Sequence, residues 1–532
     1  MNLAPFVSRY APSGMVCAVD HLAAAAGVDL LRRGGSAADA AVGTSAVLAV
    51  TTQHMCGMGG DLLALVHDGA GTGPPVALLA SGRAGSGADP GRLRAEGHDR
   101  MPAHGDVRAV TVPGCVDGWL ALHDRFGRLP LATVLEPARG YATEGFPCSP
   151  SLALAARAVA HLPGAASLGR ALSPGDLVRR PGVARALTAV IAHGRDGFYL
   201  GEFGDGLRAL GAGEYVGDDF ADPLATFVEP LSLDAFGVRL WTAPPPSQGY
   251  LALAGAALAD RLAVPGDPGD PRWAHLLIEA ARASAQDRVA VLHERADGAA
   301  LLSPSRLGDQ LASISPRRAA STRGRFDAGG TVALCAVDAE RMGVTLLQSN
   351  ASGFGAGLVE PATGIFLHNR GVGFSLEPGH PAEYGPRRRP PHTLSPTLVT
   401  DAGATGHQAL RAVLGTMGGD AQPQVLLQLL WRLFVGGQRA GDAVAAGRWV
   451  LRNARDPGGF WTWSADREVE VVLETSTPAG WPGALAALGQ RLAQRSEDEM
   501  HEFGHAHVIV CRDGVLEGAS DPRAHDGAAA GY

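Results

Sequence analysis

The chain has 532 residues, enough to bury an extensive core, with 46% apolar residues, 18% charged residues and a formal net charge of −8. This mildly acidic balance gives no electrostatic footprint for nucleic acid or an anionic membrane, and the composition is not that of a disordered chain. Every basic residue counted in Lys+Arg is arginine, which excludes a lysine Schiff base and any Ser–Lys catalytic pair.

In chain order, the first ten residues lack a basic leader followed by an apolar core, so no signal peptide is expected and a cytoplasmic location is. No apolar stretch approaches the roughly 20 residues of a membrane span. Residues 22–33 and 36–50 read as Ala-rich helices separated by the stop signal Gly34-Gly35, and 62–67 and 76–80 as strands. From 113 to 260 the pattern is mainly helical, with loops at 147–150, 173–176 and 243–249. Residues 273–293 predict one long amphipathic helix. The stretch 294–330 turns polar and rich in Ser, Arg and Gly, as suits a linker that exposes a cleavage point. Strands at 331–338 and 344–348 follow, joined by a hairpin turn. Beyond them come further strands, a Pro/Arg-rich loop at 378–391, a helix at 423–435 and strands at 505–511 and 515–518. Strands set among helices predict a mixed α and β fold.

Thr331 stands out because it opens a strand directly behind the flexible run ending in Gly329-Gly330. If the chain is cut between Gly330 and Thr331, that residue gains an α-amine with a pKa of about 7.7–8.0 beside its own hydroxyl. One residue then supplies nucleophile and base.

Two competing motifs are weaker. His501-Glu-Phe-Gly-His505 matches the HExxH expression, but the zinc chemistry needs a helix and 505–511 reads as a strand. Residues four apart on a strand lie about 13 Å from one another, too far for one metal ion. His54-Met-Cys-Gly-Met-Gly-Gly60 is glycine-rich but wrongly spaced for a nucleotide loop. No cofactor and no metal are therefore expected. Cys17, Cys56, Cys115, Cys148, Cys335 and Cys511 are scattered without CxxC pairs and read as free thiols in a reducing compartment.

Over nearly its whole length the chain resembles the γ-glutamyltransferase family of N-terminal-nucleophile hydrolases. The resemblance is carried by Gly14-Met-Val-Cys-Ala-Val-Asp-His-Leu-Ala23, Gly34-Gly-Ser-Ala-Ala-Asp-Ala-Ala-Val42, His54 to Gly60, Pro113-Gly-Cys-Val-Asp-Gly-Trp119 and Pro244-Pro-Pro-Ser-Gln-Gly249. It continues through Ser395-Pro-Thr397, Gly415-Thr-Met-Gly-Gly419 and Gly518-Ala-Ser-Asp-Pro-Arg523 to Ala530-Gly-Tyr532. The resemblance implies an α+β fold, the four-layer αββα sandwich, and a precursor that cuts itself into a large segment 1–330 and a small segment 331–532 that stay together. A dimer of that processed pair is a further expectation.

Within the resemblance, Gly418 and Gly419 match the paired oxyanion glycines, and Gln348-Ser349-Asn350 matches the segment that bonds the nucleophile and lines the pocket. The partner of the Thr331 hydroxyl is left open between Gln348 and Ser349. Arg83 falls where the family clamps a substrate carboxylate. The small segment departs from the family: Gly373 stands where an acidic residue holds the substrate ammonium, Arg370 where an amide stands, and His392-Thr393 where a serine pair stands. Arg370 is therefore expected to add positive charge to the acyl pocket. The expected substrate is a small amide, γ-glutamyl or another anionic type, with hydrolysis favoured over transfer. This pattern resembles the branch with oxamate amidohydrolases and cephalosporin acylase-like proteins, so an amide without a glutamyl α-amine is the alternative. A non-catalytic binding relative is the alternative from another class.

Overall fold

The computed structural model describes residues 8–71, 73–162, 164–165, 168, 171–320, 330–403, 408–453, 468–495 and 503–532. At its centre two seven-stranded antiparallel sheets lie face to face. The first runs, in spatial order, Arg9–Ala11, Val515–Ser520, Ala506–Arg512, Leu410–Thr416, Thr397–Asp401, Val238–Thr242, Leu231–Ala235. The second runs Ala528–Gly531, Met15–Ala18, Gly330–Val337, Gly343–Ala351, Asp61–His67, Val76–Ala80, Thr226–Val228.

Strand alternation sorts the side chains into layers. Along Gly330–Val337, Ala333, Cys335 and Val337 enter the core between the sheets, with Leu63, Leu347, Leu398 and Val413. Val332, Leu334 and Ala336 point the other way, into the core beneath helices His21–Arg32, Ala37–Thr51, Cys115–Phe126, Leu131–Glu144 and Pro181–Tyr199. Helices Tyr250–Arg261, Pro271–Ala285 and Gln422–Phe434 cover the outer face of the first sheet. The result is the expected αββα sandwich. Ala37–Thr51 is buried along its whole length, and its start is fixed by a capping box between Ser36 and Asp39.

Both sheets take strands from either side of the 330/331 bond, and Gly330–Val337 is paired on both edges, by Met15–Ala18 and Gly343–Ala351. The segments 1–330 and 331–532 therefore share one body; neither could bury its own sheet alone.

Several sequence expectations need correction. Residues 226–242 are strands, with Leu231–Ala235 and Val238–Thr242 joined at Phe236-Gly237, both at positive φ as a tight hairpin turn requires. The helix expected at 273–293 ends at Ala285, and Arg288–Val291 forms a separate short turn. The stretch read as linker holds helices Gly298–Leu301 and Pro304–Ala312, the first capped by the Asp297 carboxylate. Its end, 321–329, lies outside the described residues. Among the described residues no helix is long and apolar enough to cross a membrane.

Candidate active site

Thr331 is 1% exposed and sits at an irregularity in the strand pairing. Gly330 pairs with Ala351 and Val332 with Gln348, so Thr331 alone faces both Ser349 and Asn350. Such a bulge re-aims side chains, and here it brings two hydroxyls onto one carbonyl. Thr331 Oγ1 lies 2.7 Å from the Gly330 oxygen, Ser349 Oγ lies 2.8 Å from it, and the two hydroxyls are 3.1 Å apart. Each hydroxyl has one hydrogen, so two of these three contacts are hydrogen bonds at any moment. The Ala351 N–H donates to Ser349 Oγ at 2.8 Å and fixes it. Gly330 has to be glycine, because a Cβ there would stand 2.6 Å from the Gly353 nitrogen.

The partner left open in the sequence is Ser349. Gln348 points to the helix side, where its Oε1 accepts from Ser45 at 2.6 Å and its Nε2 donates to Gly57 O at 3.1 Å; the expectation that it binds substrate is corrected. Asn350 donates from Nδ2 to Gln53 O at 3.1 Å and makes no hydrogen bond to Thr331. It braces the 53–60 loop against this strand.

The larger correction concerns Arg370. The structure shows it buried in an ion pair with Asp61, a residue sequence reasoning missed. Nε donates to Asp61 Oδ2 at 2.6 Å and Nη2 to Oδ1 at 3.2 Å, with Asp61 fully buried and Arg370 1% exposed. Nη1 reaches Thr393 Oγ1 at 3.3 Å. His392 Nε2 lies 2.8 Å from Asp61 Oδ2, while its Nδ1 accepts the Leu394 N–H at 3.2 Å, which assigns the neutral Nε2–H tautomer. Burial, then the Arg370 charge, pull the His392 pKa down to about 4, so the ring is uncharged at neutral pH. Burial pushes the Asp61 carboxyl up, but Arg370, His392 and His368 together hold it well below the usual carboxylate range. The cluster is thus one carboxylate against one guanidinium. Arg370 adds no net charge to the pocket, and His392 and Thr393 serve the cluster. Asp61 pairs across the strands with Ser349, so Thr331, Ser349 and Asp61 form a row at one end of the inter-sheet face.

Gly418 and Gly419 follow strand Leu410–Thr416, whose Gly415 packs on Ala333, two residues from Thr331. Both lie at positive φ, 129° and 57°, where a side chain is strained. Neither N–H donates to a described residue, which leaves the pair available to an oxyanion. Gln248, fully buried and also missed, donates from Nε2 to Gly419 O and to Thr393 O, each at 2.9 Å, and so ties the glycine turn to the Asp61 cluster. Behind the turn, Arg448 donates to the Phe503 and Gly504 carbonyls and to Asp521, explaining the Asp and Arg of the C-terminal motif: Asp521 and Arg523 build that buried network with Glu474.

Arg83 lies beyond the end of strand Val76–Ala80, next to Asp61–His67 in the sheet. Three strand spacings, about 14 Å between backbones, separate it from Thr331. Its guanidinium has no hydrogen bond or ion pair with a described residue. Burial, then the Arg83 charge, lower the neighbouring Arg389 to about 10. Of the two arginines expected to meet an anion, Arg83 alone is free to do so. Among the described residues no His/Cys/Asp/Glu group is placed to hold a metal ion; His501 and Glu502 lie outside them.

A threonine hydroxyl at a bulge, two glycine N–H groups that meet no described acceptor and an αββα frame stand beside the family comparison, in which the gamma-glutamyltranspeptidase model matches residues 23–531. The chain belongs to the γ-glutamyltranspeptidase family. It is similar to the oxamate amidohydrolase proenzyme of Klebsiella pneumoniae, 35% identical over 99% of both chains. The glutathione hydrolase-like YwrD proenzyme of Bacillus subtilis is 31% identical over 97% of this chain and 98% of its own. Among solved structures, the cephalosporin acylase from Bacillus halodurans superposes with a TM-score of 0.88 at 30% identity, covering 100% of this chain and 99% of that one. As a member of this γ-glutamyltranspeptidase family the protein is an amidohydrolase, and the reading as a non-catalytic binding relative falls away.

Proposed function

We propose that the protein is an autoprocessing threonine amidohydrolase whose substrate is a small amide bearing a carboxylate and no α-amine, of the oxamate type. The observation that carries the mechanism is the meeting of the Thr331 and Ser349 hydroxyls at the Gly330 carbonyl. Thr331 Oγ attacks that carbonyl carbon, with Ser349 polarising its oxygen. The C–N bond breaks as an ester to Thr331 Oγ forms, which frees the Thr331 amine; water then cleaves the ester to the Gly330 carboxylate and the Thr331 hydroxyl.

In the mature enzyme the amine takes the Oγ proton while Oγ attacks the substrate carbonyl. The Gly418 and Gly419 N–H groups hold the oxyanion, a contribution of about 3–4 kcal/mol for one such donor. The amine then protonates the departing nitrogen, and water, in preference to an amine acceptor, cleaves the acyl-enzyme. No step requires a cofactor.

The substrate class is supported by how the charges are disposed. Arg83 is open to a carboxylate. The Asp61 carboxylate, which could have held an ammonium, is consumed by Arg370 and His392, and Gly373 offers none. The 35% identity to an oxamate amidohydrolase proenzyme points the same way. The test is to compare kcat/KM for oxamate with that for γ-glutamyl-p-nitroanilide, with and without glycylglycine. Faster oxamate cleavage and little stimulation by the dipeptide are expected. Efficient γ-glutamyl transfer overturns the substrate assignment.

A further inference from the structure

A second polar site lies behind the nucleophile, on the helix side of the second sheet. A cavity of about 10 Å³, room for one water-sized occupant, is lined by Gln53, Cys56, Arg180, Ile365 and Phe366 among others. Arg180 is 4% exposed and Gln53 2%. The Arg180 guanidinium donates from Nη2 to the Gly364 carbonyl at 2.5 Å, but its Nη1 is buried without a partner. Both amide atoms of Gln53 are buried without a partner as well. No carboxylate of the described residues pairs with Arg180, and burial alone lowers its pKa to about 10 with nothing opposing it.

Among the described residues, buried Arg370, Arg282 and Arg448 have the carboxylate partners Asp61, Glu279 and Asp521. Arg432, which has none, lies over the Trp273 ring and reaches Gln438, contacts Arg180 lacks on its Nη1 side. A buried charge without a counter-charge is costly. A neutral water in the cavity could satisfy hydrogen bonds but would leave the positive charge uncompensated. A monovalent anion of similar size can accept from both Arg180 Nη1 and the Gln53 amide and also cancels the charge. We infer that Arg180 and Gln53 form a buried halide site, chloride being the ion of fitting size and charge. The cavity has no room for a polyatomic carboxylate.

The site reaches the chemistry through its loop. Gln53 O accepts from Asn350, and Gly57 O accepts from Gln348, on either side of Ser349. An anion that pins this loop against Arg180 also fixes the strand carrying Ser349 under the Gly330 carbonyl.

The experiment has two parts. Crystals of the full protein grown in sodium bromide, measured at the bromine absorption edge, should show an anomalous peak within hydrogen-bond distance of Arg180 Nη1 and Gln53 Nε2. Thermal unfolding at equal ionic strength should give a higher Tm in sodium chloride than in sodium gluconate, whose anion is too large for the cavity. That difference should vanish in Arg180→Met. The bromide measurement uses the unaltered protein, so it decides even where the variant folds badly. Absence of the anomalous peak, or equal Tm in the two salts, overturns the assignment.

Discussion

Replacing Arg370 by Met separates a structural ion pair from a substrate clamp. The Arg370 side chain is 2% exposed, Asp61 is fully buried, and two hydrogen bonds of 2.6 and 3.2 Å join them. Removing the guanidinium leaves Asp61 buried with only imidazoles against it, a loss of about 3–5 kcal/mol. Unfolding entropy of about 2.1 cal/mol/K per residue gives roughly 1.1 kcal/mol/K over 532 residues, so Tm should drop by about 3–5 °C. The deficit should depend on pH. In the wild type the Asp61 pKa is held below its unfolded value, so its stabilisation is present above that value and lost as pH falls through the folded pKa. Without Arg370, burial lifts the carboxyl instead, so the deficit is largest near pH 8 and shrinks toward pH 5. The assay is calorimetry at fixed scan rate across that range, with kinetics on one anionic and one neutral amide. Arg83→Met is the contrast: Tm unchanged, and KM for the anionic amide raised about tenfold to a hundredfold, as for loss of a charged hydrogen bond. An Arg370→Met protein with wild-type Tm and a selectively raised KM for the anion would refute the ion-pair account.

The remaining predictions follow from the same geometry. Intact mass of the purified protein should give two chains, the smaller beginning at Thr331; Thr331→Ala should stay whole and inactive, and Ser349→Ala should process at least about tenfold more slowly. Gly418→Ala should process but lose about 10²–10³ in kcat, since a Cβ at φ 129° twists the turn whose N–H groups hold the oxyanion. Gln248→Leu frees the Gly419 and Thr393 carbonyls and should lower kcat more than it raises KM, read from full saturation curves. His392 is neutral in the fold with a pKa near about 4, below its unfolded value of about 6.5. The unfolded chain binds the extra proton first, so stability should fall as pH drops from 6.5 toward 4, and chemical denaturation should show a smaller fall in His392→Asn.

Much of the fold was legible because its causes are local. Short apolar runs marked the strands at 62–67, 331–338 and 505–511, the glycine pair at 34–35 ended the first helix, and the αββα order followed from the family motifs. The hairpin at 231–242 was equally local and was missed: Leu231, Leu233, Val238, Leu240 and Thr242 alternate around a Phe-Gly turn that was read through as helix. Thr331 could be singled out from sequence because it opens a strand behind a glycine-rich run, whereas Gly418 and Gly419 were named only through the family resemblance.

What side chains face, and what charge they carry, was settled only in three dimensions. Period-two alternation puts Gln348 and Ser349 on opposite sides of the strand, but only the bulge between Gly330 and Val332 decides that Ser349 meets Thr331. Arg370 looked like a free cation because its partner lies 309 positions away, brought beside it only when Asp61–His67 docks on Gly343–Ala351. A residue type fixes the charge a group can carry; burial and the partner across the fold decide whether that charge is spent inside the protein or left for a substrate.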